Sequence, residues 1–215
     1  MFSWDIENLD DVFCFRMMCC TYIISNDRAL NMDASSNFQG SLPISSDALL
    51  EQLDKWGINY KRYDHNPLQT VEDSKEIQDK FSPTQEGGGH LKNLYLRDKK
   101  KKNVLLIAEQ DTNIDLKALS KAIGCANLSF GSPERLMQNL GIRPGAVTPL
   151  SMINGVQNNV SLFMDSSLRN CSKIYVHPLV NDRTLEMSLV ELERFLGIIG
   201  VDFDWIDFKI TFQNQ

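Results

Sequence analysis

Four short stretches of this 215-residue chain carry residue types suited to holding a polar or anionic ligand. In Gly87-Gly88-Gly89-His90-Leu91-Lys92-Asn93 a glycine run, whose amides can approach a ligand closely, precedes a lysine able to fix a phosphate or a ribose. A flexible hairpin approach with an exposed lysine is the plain alternative. In Arg143-Pro144-Gly145-Ala146-Val147-Thr148-Pro149 two prolines bracket a glycine, making a stiff loop whose N–H groups can line a small pocket or simply turn the chain. In Val176-His177-Pro178 the histidine can orient a carbonyl or amine, or serve only the fold. Lys99, Lys100, Lys101 and Lys102 form the one basic cluster, fit for a phosphate backbone or for a solvated turn.

Other chemistries lack their signatures. There is no G-x-S-x-G elbow, P-loop or H-E-x-x-H motif, and carboxylates are scattered rather than paired. Five cysteines without a C-x2-C pair, and three histidines, argue against zinc, disulfides or a histidine proton relay. No cofactor or metal is expected. An enzyme built from these parts works by positioning and backbone dipoles.

The elements that position these stretches follow from periodicity and punctuation. Residues 1–45 show no sustained pattern, hold −4 of the net charge of −6, and read as a poorly ordered extension. A domain over 46–210 then opens with a helix over 46–56, capped by Ser46 and carrying Leu49, Leu50, Leu53 and Trp56 on one face. A strand over 58–63 and a helix over 70–81, started by Thr70-x-x-Asp73, come next. Strands over 90–97 and 103–108 flank the lysine turn. A helix over 115–123, a short strand over 128–130, and a helix capped by Ser132 with Pro133 at its first position follow. Strands over 160–164 and 173–177, a helix over 189–199 and a strand over 203–208 complete an α+β domain around a mixed, largely antiparallel sheet with flanking helices.

The acidic balance argues against a protein held on nucleic acid or membrane by bulk charge alone, and leaves a local basic site open. No DNA or membrane partner is expected. The apolar run over 12–24 is broken by Arg16, follows acids instead of a basic leader, and is too short for a bilayer span, so a cytoplasmic protein is expected.

In order along the chain stand Gly88-Gly89-His90-x-Lys92-Asn93-Leu94-Tyr95-Leu96-Arg97-Asp98, Ile114-Asp115-Leu116-Lys117, Leu128-Ser129-Phe130, Leu140-Gly141-x-x-Pro144-Gly145-Ala146-Val147-Thr148-Pro149, Ile153-Asn154 and His177-Pro178-Leu179-x-Asn181. Together they resemble the YbaK/prolyl-tRNA-synthetase-associated domain family, in its freestanding Ala-tRNA-Pro deacylase branch, over roughly 46–208. The resemblance implies an editing hydrolase that cleaves alanine from mischarged tRNA-Pro without metal, water being activated by the substrate's own ribose hydroxyl. It implies Lys92 at the tRNA 3′ end, the Gly145 loop at the aminoacyl group and His177 shaping the pocket. Gly88, Gly89, His90, Asn93, Ala146, Val147, Thr148, Pro149, Asn154 and Thr184 would complete substrate binding, with the four lysines on the tRNA backbone. The implied partners are the acceptor end of tRNA-Pro and prolyl-tRNA synthetase. Gly155, Arg183 and Leu185 depart from the family pattern. They leave room for a noncatalytic tRNA- or synthetase-binding module of the same fold, or for a deacylase of Ser- or Cys-tRNA.

Overall fold

The computed structural model describes residues 33–68 and 80–208. Helix α1 (Ser46–Lys55) is capped by Ser45, whose side chain accepts from the Ala48 amide, so the cap falls one serine before the expected Ser46. It buries Leu49, Leu50 and Leu53 and is closed beyond Trp56 by Gly57 at φ +62°. Strand β1 (Lys61–Asp64) starts later than expected, because the Ile58 amide is still satisfying the Leu53 carbonyl at the helix end.

The glycines lead into β2 (Gly88–Arg97), which turns through the lysines into β3 (Asn103–Glu109). Helix α2 (Leu116–Ala122) is capped by the Asp115 carboxylate, and β4 (Ser129–Phe130) pairs with the end of β2. Helix α3 (Pro133–Leu140) has the expected Ser132 cap and ends at Gly141, φ +67°. A single turn, α4 (Met152–Gly155), precedes β5 (Ser161–Asp165) and β6 (Lys173–Val176). Strand β7 (Arg183–Met187), helix α5 (Leu189–Ile198) and β8 (Phe203–Ile206) complete the described chain.

The eight strands form one mixed sheet in the order β1-β7-β6-β2-β3-β5-β8, with β4 branching from β2. Among the described residues four pairings are antiparallel (β1–β7, β2–β3, β2–β4, β6–β7) and three parallel (β2–β6, β3–β5, β5–β8). Central β3 is buried along 103–108, as a strand covered on both faces must be. Alternation sends Leu105 and Ile107 into the larger core with α1, α3 and α5, and Val104, Leu106 and Ala108 into a smaller one with Ile114 and Leu119.

Two expectations need correction or delimiting. Residues 33–45, read as part of a poorly ordered extension, pack on the domain: Ala34, Ser35 and Leu42 are buried, and a 3-10 turn spans Ser36–Ser41. The sequence pattern misses this because the segment is held by polar contacts to distant loops instead of an amphipathic face. Residues 1–32 and most of the helix expected over 70–81 lie outside the described residues. Among the described residues no helix is long and apolar enough to cross a membrane.

Candidate functional site

Strands β2 and β6 pair in parallel only over Gly88–Lys173, Gly89–Ile174 and His90–Tyr175, and then separate. Strand β6 ends at Val176 whereas β2 runs on beside β3 to Arg97, which leaves the other flank of β2 without a strand partner until β4 joins at Leu96. Lys92 and His177 each stand two residues past the last pair, one on each side of the split. Below it the His90 and Tyr175 rings stack with centroids 5.1 Å apart, and Phe81 stacks on Tyr175 at 4.3 Å. His90 also bonds the Ser82 carbonyl through Nε2 (3.1 Å), which makes it part of the floor.

Lys92 pairs with Ala108 across the β2–β3 ladder, and Nζ donates to the Thr112 carbonyl at 2.7 Å. Thr112 in turn donates its hydroxyl to the buried Asp165 carboxylate (3.0 Å). This bond fixes the position of the ammonium head. Asn93 faces the other way and its Nδ2 donates to the Val147 carbonyl at 2.9 Å. Adjacent residues of one strand therefore place the lysine on one face of the sheet and hold the loop from the other.

The loop itself is a type II turn. Ala146 N donates to Arg143 O (3.1 Å), Pro144 presets the first corner, and Gly145 takes φ +91°, a region where a Cβ is disfavoured. Ala146, Thr148 and Pro149 are buried, and the Ser151 hydroxyl donates to Thr148 O at 2.6 Å. Among the described residues the amides of Gly145, Val147 and Thr148 meet no acceptor, whereas that of Ala146 is spent on the turn. Such amides can polarise a carbonyl. A Cβ on Gly145 would lie 3.5 Å from Asn181 Nδ2, so the turn faces the segment that follows His177.

His177 Nδ1 bonds the Arg183 carbonyl at 2.8 Å, which makes Nδ1 the protonated nitrogen and Nε2 the acceptor. Burial pushes the imidazole below the ordinary histidine pKa, and nearby His65 pushes the same way against the Arg183 hydrogen bond. The neutral ring is thus the form at physiological pH. His65, whose ring centroid is 6.3 Å from that of His177, bonds the buried Thr184 hydroxyl at 2.9 Å through Nε2. Residues 65–68 run beside 181–184: His65 N donates to Asp182 O, Leu68 N to Asn181 O, and Asn181 Nδ2 to Leu68 O, each at 3.0 Å.

The structure joins the 145–149 loop to Asn93 through Val147 O, sets Gly145 facing Asn181, and ties His177 and Thr184 to the 181–184 segment and to His65, while Lys92, on the opposite face of β2 from Asn93, is held by Thr112 O. Three expected residues serve the frame instead. A Cβ on Gly88 would meet Ser82 O at 1.9 Å, and one on Gly89 would crowd Ile174, Cys171 and Lys173. The Gly87 and Gly88 amides are already bonded to Thr84 O and Pro83 O, so these glycines permit close strand packing. Asn154 Nδ2 satisfies the Leu140 carbonyl at the end of α3 (3.1 Å). The lysine turn lies about 20 Å along β2 from Lys92, at roughly 3.3 Å per residue. There Lys102 shares a depression with Asp202 and Asp204. Among the described residues no group of three or more His, Cys, Asp or Glu could hold a metal.

Residues 65–195 match the family model described as the aminoacyl-tRNA editing domain. This chain belongs to that family. The match begins at His65, the first residue of the site's outer wall. Prolyl-tRNA editing protein ProX of Acetoanaerobium sticklandii is 34% identical over 161 residues, covering 74% of this chain and 95% of ProX. Prolyl-tRNA synthetase associated domain-containing protein 1 of Danio rerio is 30% identical over 150 residues, covering 69% of this chain and 79% of that protein. In fold, hypothetical protein APE2540 has a TM-score of 0.56 at 16% identity, covering 73% of this chain and 97% of its own. A candidate trans-editing enzyme for prolyl tRNA synthetase scores 0.55 at 17% identity, covering 75% of this chain and 95% of its own.

The three family departures are built into the editing-domain frame. Arg183 sends its guanidinium away to Ser46 Oγ (3.1 Å) and Asp47, and meets His177 only through its main-chain carbonyl, which any residue supplies. Leu185 is fully buried. Gly155 packs so closely on Leu140 and Met152 that a Cβ would approach them to 2.8 and 2.9 Å.

Proposed function

We propose that this protein is a trans-acting aminoacyl-tRNA deacylase that hydrolyses the ester of alanine wrongly attached to tRNA-Pro. The observation that carries the reading is the placement of Lys92 and His177 at matching positions beyond the last β2–β6 pair, with a loop whose Gly145 and Val147 amides are unspent bonded to Asn93, the residue after Lys92. Membership of the editing-domain family and the names of the ProX and synthetase-associated relatives support it.

In this reading the terminal adenosine lies against Lys92, whose ammonium, steadied by Thr112 O, meets the negative charge or ribose oxygens of the 3′ end. The aminoacyl carbonyl points at the Gly145 and Val147 amides, which stabilise the oxygen as it gains charge. Neutral His177 offers Nε2 as an acceptor and fills space beside the side chain. No protein group is placed as the general base; the substrate's ribose hydroxyl activates the water. Proline is excluded by the stiff turn, because one or two methylenes give only about 1–3 kcal/mol of discrimination by affinity alone. The lysine turn, about 20 Å along β2 from Lys92, meets phosphates of the acceptor stem away from the ester. Prolyl-tRNA synthetase is the natural neighbour in which such substrates arise.

The test is release of amino acid from Ala-tRNA-Pro, Pro-tRNA-Pro and Ala-tRNA-Ala. Loss of alanine from the first alone is expected. Survival of all three with retained tRNA binding would replace the enzyme by a binding module, and faster loss from Ser- or Cys-charged tRNA-Pro would move the substrate.

A further inference from the structure

The two loops that flank the split are tied to each other from outside by residues 33–41. The Asn181 amide donates to Ala34 O at 2.9 Å. Ser36 donates both its amide (2.9 Å) and its hydroxyl (2.6 Å) to Asp182 Oδ2. On the other side Arg143, the first residue of the Gly145 turn, donates to Phe38 O (3.2 Å) and to Ser41 Oγ, and its guanidinium sits 5.9 Å from the Phe38 ring centroid. The strap is itself anchored to the body: Gln39 exchanges two hydrogen bonds with Asp47, which pairs with Arg183, the residue whose carbonyl orients His177. The bonds from the strap to Arg143, Asn181 and Asp182 all join positions more than 100 apart in sequence, so none follows from local propensity.

We propose that residues 33–41 are a strap that sets the spacing between the Gly145 loop and the His177 loop, with Asp182 and Arg143 as its positioning residues. The physical ground is the nature of the bonds. One carboxylate oxygen takes two donors from Ser36, and hydrogen bonds to a charged group are the stronger kind. Among the described residues no hydrogen bond or ion pair joins the 144–149 loop directly to residues 177–184. The strap therefore makes the pocket's width a property of a segment that touches no substrate. Loosening it widens the pocket, which admits proline before it harms alanine.

Two readouts on the full chain test this. In hydrogen exchange, Asp182→Ala and Arg143→Ala should speed exchange of the Asn181 and Ala146 amides by about tenfold or more, leaving β2 and β3 amides unchanged. Asp182→Asn, which keeps an oxygen for Ser36 but not the charge, should restore protection in part. Ser36→Ala, a mild change that removes the hydroxyl bond alone, should give an intermediate effect and guards against a variant that fails to fold. Unchanged loop exchange, or a uniform rise throughout the domain, overturns the strap.

The second readout rests on the deacylase reading. In Asp182→Ala the ratio of alanine to proline release from charged tRNA-Pro should fall by about tenfold, with Asp182→Asn between that variant and the natural protein. An unaltered ratio in a protein with loosened loops overturns the positioning role. If the natural protein releases neither amino acid, the deacylase reading fails, and exchange alone decides the strap.

Discussion

Lys92 on β2 and His177 just past the end of β6 stand at matching positions, each two residues beyond the His90–Tyr175 pair, the last of the parallel β2–β6 ladder. The relationship makes a candidate site out of residues far apart in sequence. It also assigns them different electrostatic parts: a fixed ammonium on β2 and a neutral ring held by the Arg183 carbonyl.

Replacing Lys92 removes the ammonium while leaving the β2–β3 ladder in place. Lys92→Ala is expected to lower kcat/KM for Ala-tRNA-Pro by about 100-fold, the scale of removing a charge-assisted hydrogen bond. Lys92→Arg should recover only part, because a planar fork does not reproduce a point charge. Single-turnover deacylation measures both.

His177 makes a prediction about pH. Its folded pKa lies below the unfolded value, so the unfolded chain takes up the proton more readily, and stability falls as pH drops below about 6.5. Activity that depends on neutral His177 stays level above that pH. His177→Asn keeps a donor for Arg183 O but loses the titration. Its melting temperature should fall less between pH 7.5 and 5 than that of the natural protein, and an equal fall would contradict the assignment.

Much of the frame is legible in the sequence because it is local. Ser132-Pro133 and Gly141 delimit α3, and the apolar run after Asn103 marks the central strand. Strand β7 is not legible: Arg183-Thr184-Leu185-Glu186-Met187 has no β-branched run, and its strand form comes from pairing with β1 and β6 on its two sides. For the site, the motif residues Lys92, Asn93, Gly145 and His177 are visible as types and spacing. His65, Thr112 and the Asp182–Ser36 bond are not, since each works through a partner 20 to 146 residues away.

Gly145 separates backbone strain from crowding. Gly145→Ala puts a Cβ 3.5 Å from Asn181 Nδ2, an ordinary contact, but keeps φ +91° only at a cost of about 1–2 kcal/mol. The melting temperature should fall by roughly 2–8 °C, and deacylation should fall further than that destabilisation explains as the turn relaxes. Calorimetry beside kinetics checks the difference.

The lysine turn should act on binding alone. Changing Lys99, Lys100, Lys101 and Lys102 to Gln is expected to raise KM and flatten the dependence of log KM on log salt, by up to about 0.7–0.9 for each phosphate no longer neutralised. The kcat should hold, since the turn is about 20 Å along β2 from Lys92. A changed kcat with an unchanged salt slope would place the turn outside tRNA binding.

The central claim is that the split between β2 and β6 is where the mischarged ester is cleaved. Single-turnover release of alanine from Ala-tRNA-Pro, with the natural protein beside Lys92→Ala and with Pro-tRNA-Pro as the control, tests it most directly. Rapid loss of alanine that disappears in Lys92→Ala, with proline retained throughout, is the predicted result. Alanine release that proceeds undiminished in a folded Lys92→Ala protein would contradict it.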